Sequence, residues 1–277
     1  MFDSVFDSTQ TQEGIFRKTR VDFLVGQVLT GFHATILAYG QTGSGKTFTM
    51  DGLVDGHPTD RGIIPRAITE LFAQVERRRA ELQGRKKITI KVQYVQIYNE
   101  KVYDLLVSKS QRNTGKTLGL GKGLKVKIHA NSEEVTIENV YNFDCNSEEE
   151  AQKYFQKGLG NKTVAAHNLN QASSRAHSIL TFIVHQEDLQ AQNDSDSIIS
   201  KLRLVDLAGS ERQSNLIESA KSTVNEAQFR EAIGINKSLF TLRQVITALT
   251  ENASRSLGAR KNSLESEMGG NSSAKIA

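Results

Sequence analysis

Gly40-Gln41-Thr42-Gly43-Ser44-Gly45-Lys46-Thr47 is the stretch on which the reading of this chain turns. It fits G-x-x-x-x-G-K-[ST], a loop whose glycines let the backbone curl until successive N–H groups face one anion. The helix that follows adds the positive end of its dipole. In such a loop Lys46 reaches the β- and γ-phosphates of a nucleotide, and the Thr47 hydroxyl is a Mg²⁺ ligand. The flanks agree. The apolar run Ala34–Tyr39 enters as a buried strand, and Thr47–Met50 leaves as a helix. A plain surface turn would explain the glycines but not the Lys-Thr that closes the motif.

A loop of this type needs an acidic residue on the Mg²⁺ side, supplied from a neighbouring strand. Leu202-Arg203-Leu204-Val205-Asp206 offers Asp206 at a strand's carboxyl end. Asp206-Leu207-Ala208-Gly209 then sets a glycine where its N–H meets a γ-phosphate. By itself an Asp at a strand end is a turn residue or a helix cap. The preceding loop gives it weight.

Outward from these two segments, strands and helices alternate. Thr11–Leu29 places Ile15, Val21, Leu24, Val25 and Val28 near one helical face, with Gly31 as a stop signal. Ile88–Tyr98 alternates as a long strand. Ser147 opens a helix with Glu150 at capping-box spacing. Ser178–His185 and Lys201–Asp206 are further strands. Ile235, Leu239, Leu242, Ile246 and Leu249 mark a long amphipathic helix whose apolar seam packs in the core. Asp51–Arg61, Ser108–Gly123, Gln186–Ser197 and the tail from Asn252 read as surface loops. No internal repeat or linker stands out, so a single domain over 1–277 is expected. Strands interleaved with helices point to the α/β class, a sandwich built on a largely parallel or mixed sheet.

The bulk composition narrows the field. The chain has 277 residues, 38% hydrophobic and 24% charged, with 2 prolines and no tryptophan. No apolar run approaches the ~20 residues that cross a bilayer, and the amino end has no basic-then-apolar signal. The single cysteine, Cys145, excludes an intramolecular disulfide and a Cys-rich metal site, and points to a reducing compartment. The net charge of +4 suits an acidic partner but does not name one.

At this point the chain resembles one family, the kinesin motor domains. Tyr39–Met50 is similar to their nucleotide loop almost residue for residue. Asn170-Gln171-Ala172-Ser173-Ser174-Arg175-Ala176-His177 resembles the first switch, and Leu204–Arg212 the second. Gly62–Arg66, Ile97–Glu100 with Tyr103–Leu106, and Ile235–Leu239 match secondary signatures in order. The likeness runs from Phe2 to about Leu249 and returns at Gly269-Gly270-Asn271.

The resemblance implies a three-layer P-loop NTPase fold, with a central, mostly parallel, mixed β-sheet flanked by helices on both faces. It also implies ATP and Mg²⁺ as cofactors, ADP as product, and the microtubule as partner, with no nucleic acid and no membrane. It implies a place in the cytoplasm on the cytoskeleton, and leaves any dimerisation to segments outside this chain. It places the nucleotide on Gly40, Gln41, Thr42, Gly43, Ser44, Gly45, Lys46 and Thr47, with Phe48 as a partial stacking surface and Asn170 alongside. Thr47, Ser174 and Asp206 attend the metal. Lys46, Ser173, Ser174, Arg175, Gly209 and Glu211 serve hydrolysis: Ser173 helps place the attacking water, Gly209 senses the γ-phosphate, and Arg175 pairs with Glu211 to lock the switches. That pair is a two-state latch able to turn hydrolysis into movement. Lys237 and Arg243, on the exposed face of the last helix, are assigned to the microtubule.

Several positions depart from the pattern. Ala176 stands for the usual Ser, Lys162 for the usual Arg, and Arg243 for a common Gly. The segment between Arg212 and Ile235 is longer than usual, and the filament-binding stretch is not recognisable in Asn252–Leu264. The family's first strand would precede Phe2, and its last strand, helix and neck would follow Ala277. The expected function is a microtubule-dependent ATPase motor head. The alternative is a divergent module that holds nucleotide and microtubule with little cycling. A GTPase is excluded by the lack of N-K-x-D, and a helicase by the Leu that follows Asp206.

Overall fold

The computed structural model describes residues 2–53, 57–107, 123–129, 135–168, 175–190, 197–210 and 238–251. Two compact units divide the chain, Met1–Glu211 and Arg212–Ala277.

The first unit is built on a mixed sheet. Strands β1 (Ala34–Ala38), β2 (Lys86–Tyr98), β3 (Lys101–Asp104), β6 (Phe143–Asp144), β7 (His177–Asp188) and β8 (Ile198–Asp206) form it in the order β1-β8-β7-β2-β3, with β6 also against β2. β1 and β8 run parallel, Ala38 level with Asp206; the other described pairings are antiparallel. β4 (Val126–Ile128) and β5 (Val135–Ile137) make a separate ribbon.

Strand side chains alternate between faces. The registers bring Ile90 opposite Val184, Val92 opposite Phe182, and Tyr94 opposite Leu180, with Leu204 and Leu202 following across β8. This face is sealed by the helices α1 (Gln12–Lys18), α2 (Val21–Val28), α3 (Lys46–Met50), α4 (Ile63–Leu82) and α5 (Glu148–Asn168). Phe16, Val25, Ile68, Leu71, Ala151 and Phe155 join the strand side chains in one apolar cluster. Of the opposite parity, Thr89, Lys91 and Gln93 are half-buried or exposed, while Val95, Thr181 and Val205 are buried.

The structure corrects four expectations. The helix expected over Thr11–Leu29 is two helices, broken at Thr19-Arg20, where Arg20 takes φ 56°. The Thr19 hydroxyl donates back to the Ile15 carbonyl at 2.7 Å, and the Arg20 guanidinium lies over the Phe23 ring. The break changes the helical phase, so Phe16 is buried and Ile15 only half-buried. β1 is not a fully buried strand: β8 is its only partner among the described residues, and Leu37 stays 40% exposed. Asp51 and Gln186, assigned to surface loops, are buried. Gln186 lies near the end of a strand and donates from Nε2 to the Leu29 carbonyl at 3.1 Å. Finally, the apolar seam of the helix over 238–251 is buried at Leu239, while Ile246 and Leu249 are 47% and 64% exposed. That helix belongs to the second unit.

Ser147 behaves as the spacing predicts. Its hydroxyl accepts from the Glu150 N–H at 3.2 Å, while the Glu150 carboxylate accepts from the Asn146 N–H at 2.8 Å. The return bond thus falls one residue before the cap, and it still satisfies a backbone donor at the helix start.

Candidate nucleotide site

β1 delivers the chain to the loop Gly40–Thr47, and β8 runs beside it to end at Asp206. Gly43 and Gly45 adopt φ 78° and 91°, the left-handed region that glycine enters without steric cost. The Lys46 ammonium folds over the loop and donates to the Gln41 carbonyl at 2.8 Å. The Ser210 N–H donates to the Gly40 carbonyl at 3.1 Å, tying the segment after β8 to the loop. Phe48 is 46% exposed beside it, an available stacking surface.

The Thr47 hydroxyl donates to Asp206 Oδ2 at 2.8 Å. The other oxygen, Asp206 Oδ1, is buried without a hydrogen-bond partner among the described residues. A hydroxyl and a carboxylate side by side, with an acceptor lone pair to spare, form the oxygen donor set that a hard divalent cation takes. The residues present therefore fit Mg²⁺, with Thr47 and Asp206 as the groups that would hold it.

Behind Asp206 lies a charge cluster that sequence reasoning missed. Lys162 on α5 is 5% exposed, and its Nζ sits 2.9 Å from Asp206 Oδ2, 3.5 Å from Asp51 Oδ2 and 3.2 Å from Ser178 Oγ. Asp51 is the C-cap of α3, the helix that leaves the phosphate loop. Burial pushes the Asp51 carboxyl up to about 6, against the pull of Lys162. Burial also works against the Lys162 ammonium, but Asp51 and Asp206 outweigh it and hold its pKa above the ordinary lysine value. Asp206 takes the shorter contact, which leaves Asp51 the less well compensated of the two carboxylates. Tyr94, fully buried alongside, has its phenol pushed well above the usual range by the same desolvation.

Signals for this cluster were present. Lys162 continues the stripe of Ala151, Phe155 and Leu159, so a cation stands where the helix pattern calls for an apolar residue. Asp51 is an acid at a helix C-terminus, where the dipole disfavours it. Neither residue shows its partner in the sequence.

His177 opens β7, and its Nδ1 accepts from the Ala208 N–H at 3.0 Å. Burial lowers its pKa, which suits a neutral ring acting as acceptor. Gly209, next in the chain, is buried. Thus the segment leading out of Asn170–His177 is hydrogen-bonded directly to the segment after Asp206. Ala176 is buried and carries no hydroxyl. Arg175 is half-buried; its expected partner Glu211 lies outside the described residues, as do Asn170, Ser173, Ser174, Lys237, the 212–235 segment, and 252–264 with Gly269–Asn271. Arg243 is exposed on its helix.

A strand feeding a glycine-rich loop and a helix, with an Asp-ended parallel strand alongside, defines the P-loop NTPase class. Within that class the kinesin motor domain family matches residues 1–273, and the chain belongs to it. It is 38% identical to kinesin-like protein KIN-5A of Oryza sativa subsp. japonica over 91% of this chain and 23% of that protein. It is 35% identical to the kinesin heavy chain of Strongylocentrotus purpuratus over 98% of this chain and 24% of that protein. A solved fast-kinesin structure superposes with a TM-score of 0.73 at 33% identity, covering 91% of this chain and 64% of that one. The chain thus spans about a quarter of the length of these curated relatives.

Proposed function

We propose that this chain is the ATP-hydrolysing head of a microtubule motor, acting on the cytoskeleton. The observation that carries the proposal is the phosphate loop hydrogen-bonded through Thr47 to Asp206, at the start of the segment that Ser210 and His177 fasten to both neighbouring segments. On this reading Gly40–Thr47 hold the phosphates and Lys46 exchanges the Gln41 carbonyl for phosphate oxygens. Phe48 flanks the base, with Asn170 nearby. Thr47, Ser174 and Asp206 would hold Mg²⁺, which would supply charge that neutralises the phosphates.

Ser173 orients the water that attacks the γ-phosphorus. As that bond forms, the bond to the bridging oxygen breaks and ADP carries the electron pair away. Positioning and charge stabilisation are the main demands of such a step. The Gly209 N–H and the Arg175–Glu211 pair report whether the γ-phosphate is present. Lys237 and Arg243 face the acidic filament. The domain is proposed to be a single motor head, with dimerisation left to other segments.

Steady-state ATPase with and without polymerised tubulin tests the reading. Stimulation by microtubules, abolished in Lys46→Ala, is expected; turnover indifferent to tubulin refutes it. The second reading, a module that binds nucleotide with little cycling, draws on the buried Ala176, which brings no hydroxyl to the switch. Tight nucleotide binding without phosphate release in a single turnover would select it.

A further inference from the structure

One lysine and two carboxylates are buried together behind the nucleotide site. Lys162 has three donors, and each finds an oxygen: Asp206, Asp51 and Ser178. The contacts are unequal, 2.9 Å to Asp206 and 3.5 Å to Asp51. One oxygen of each carboxylate, Asp206 Oδ1 and Asp51 Oδ1, has no hydrogen-bond partner among the described residues. One cation against two anions leaves the cluster with one negative charge in excess.

Asp206 is therefore asked to serve two cations: its Oδ2 accepts from both Lys162 and the Thr47 hydroxyl, beside which a divalent ion would sit. A buried ammonium stripped of its partner is strongly unfavourable. If Asp206 were the sole counter-ion of Lys162, turning its charge toward a metal would leave the lysine uncompensated. Asp51 removes that conflict: it sits within ion-pair distance of the same Nζ.

We propose that Asp51 is a positioning residue for the divalent cation, acting through Lys162. It is the standing counter-ion that frees the Asp206 carboxylate for Mg²⁺. The inference rests on the nucleotide-site reading above and deepens it. It places the control of metal affinity at the C-terminal end of the helix that starts with the phosphate-binding Lys46. Nucleotide affinity without metal is set by the loop and is outside this control.

The test is binding of fluorescently labelled ADP by the purified chain, titrated with Mg²⁺ from an EDTA-stripped start, at pH 7.5. Asp51→Asn removes the excess charge and leaves Lys162 to grip Asp206 alone. The Mg²⁺ concentration at half-effect should rise about tenfold, the lower end of what outer-shell partners of metal sites carry. Affinity in EDTA should stay as in the wild type. The double variant Asp51→Asn with Lys162→Gln restores the charge count and removes the competing ammonium. Its half-effect concentration should return to the wild-type value or below, whereas a purely structural role would make the two changes worsen each other. Should the single variant be unstable, the double variant still tests the proposal, because a half-effect concentration raised above the wild-type value overturns it.

A single variant within twofold of the wild type, or a double variant as impaired as the single, overturns the proposal while leaving the nucleotide site intact. A wild-type chain that binds no Mg²⁺-dependent nucleotide overturns the site reading and this inference with it.

Discussion

Replacing Asp51 by asparagine also makes a prediction for the free protein, read as stability against pH. Asp51 is 6% exposed, and its carboxyl is held at about 6 against an ordinary 3.8, chiefly by burial. Between these two values the folded chain binds the proton and the unfolded chain releases it. A raised acid pKa therefore contributes stability that is complete below the ordinary value and is lost as pH rises through the folded one. Each unit of difference is worth about 1.4 kcal/mol, so this group's contribution falls by about 2 kcal/mol from about pH 4 to about pH 7.

The asparagine side chain of the Asp51→Asn variant cannot titrate, so the variant lacks this slope, while titrating groups away from the cluster act on both chains alike. Urea unfolding at half-unit pH steps reads the difference between the wild type and Asp51→Asn. That difference should move in the variant's favour by about 2 kcal/mol across the window, most of it between about pH 5 and about pH 7. A difference that drifts by less than about 0.5 kcal/mol would refute the picture of a carboxylate buried with only part of a lysine to compensate it.

Two further changes test packing and capping. Gly158 lies on α5 against Tyr94, and a Cβ there would come within 2.0 Å of the ring. Gly158→Ala should cost about 1–3 kcal/mol by overpacking, measured as a lower urea midpoint at unchanged slope; an unchanged midpoint would mean that the ring moves aside freely. Ser147→Ala removes the hydroxyl that accepts from Glu150 N–H and should cost about 1 kcal/mol, read the same way; no loss would mean that the Glu150 carboxylate and solvent suffice as a cap.

The sequence determined by itself whatever depends on neighbours along the chain. The loop Gly40–Thr47 is legible because its glycines, lysine and threonine act through backbone conformation and reach within one short run of consecutive residues. The long strand β2 follows from alternation, and the cap at Ser147 from its spacing to Glu150. Asp206 was assigned from its place at a strand end after such a loop. The fold sets its carboxylate against the Thr47 hydroxyl, a contact that the parallel pairing of β1 with β8 makes possible.

Tertiary structure decided the rest. The periodicity of Thr11–Leu29 accommodated one continuous helix, but burial of Phe16 together with Val21, Val25 and Val28 is reached through a left-handed turn at Arg20. Gly158 carries no sign in the sequence that a tyrosine ring from β2 fills the space of its missing side chain. In the sequence Asp51 reads as a loop acid and Lys162 as the residue that stands for the family's usual Arg. The sheet and α5 bring them to one buried point beside Asp206, where low solvent access makes each charge depend on the others. Pairing between distant residues is set by which elements pack together, so local pattern marks these residues as out of place while only the fold supplies their partners.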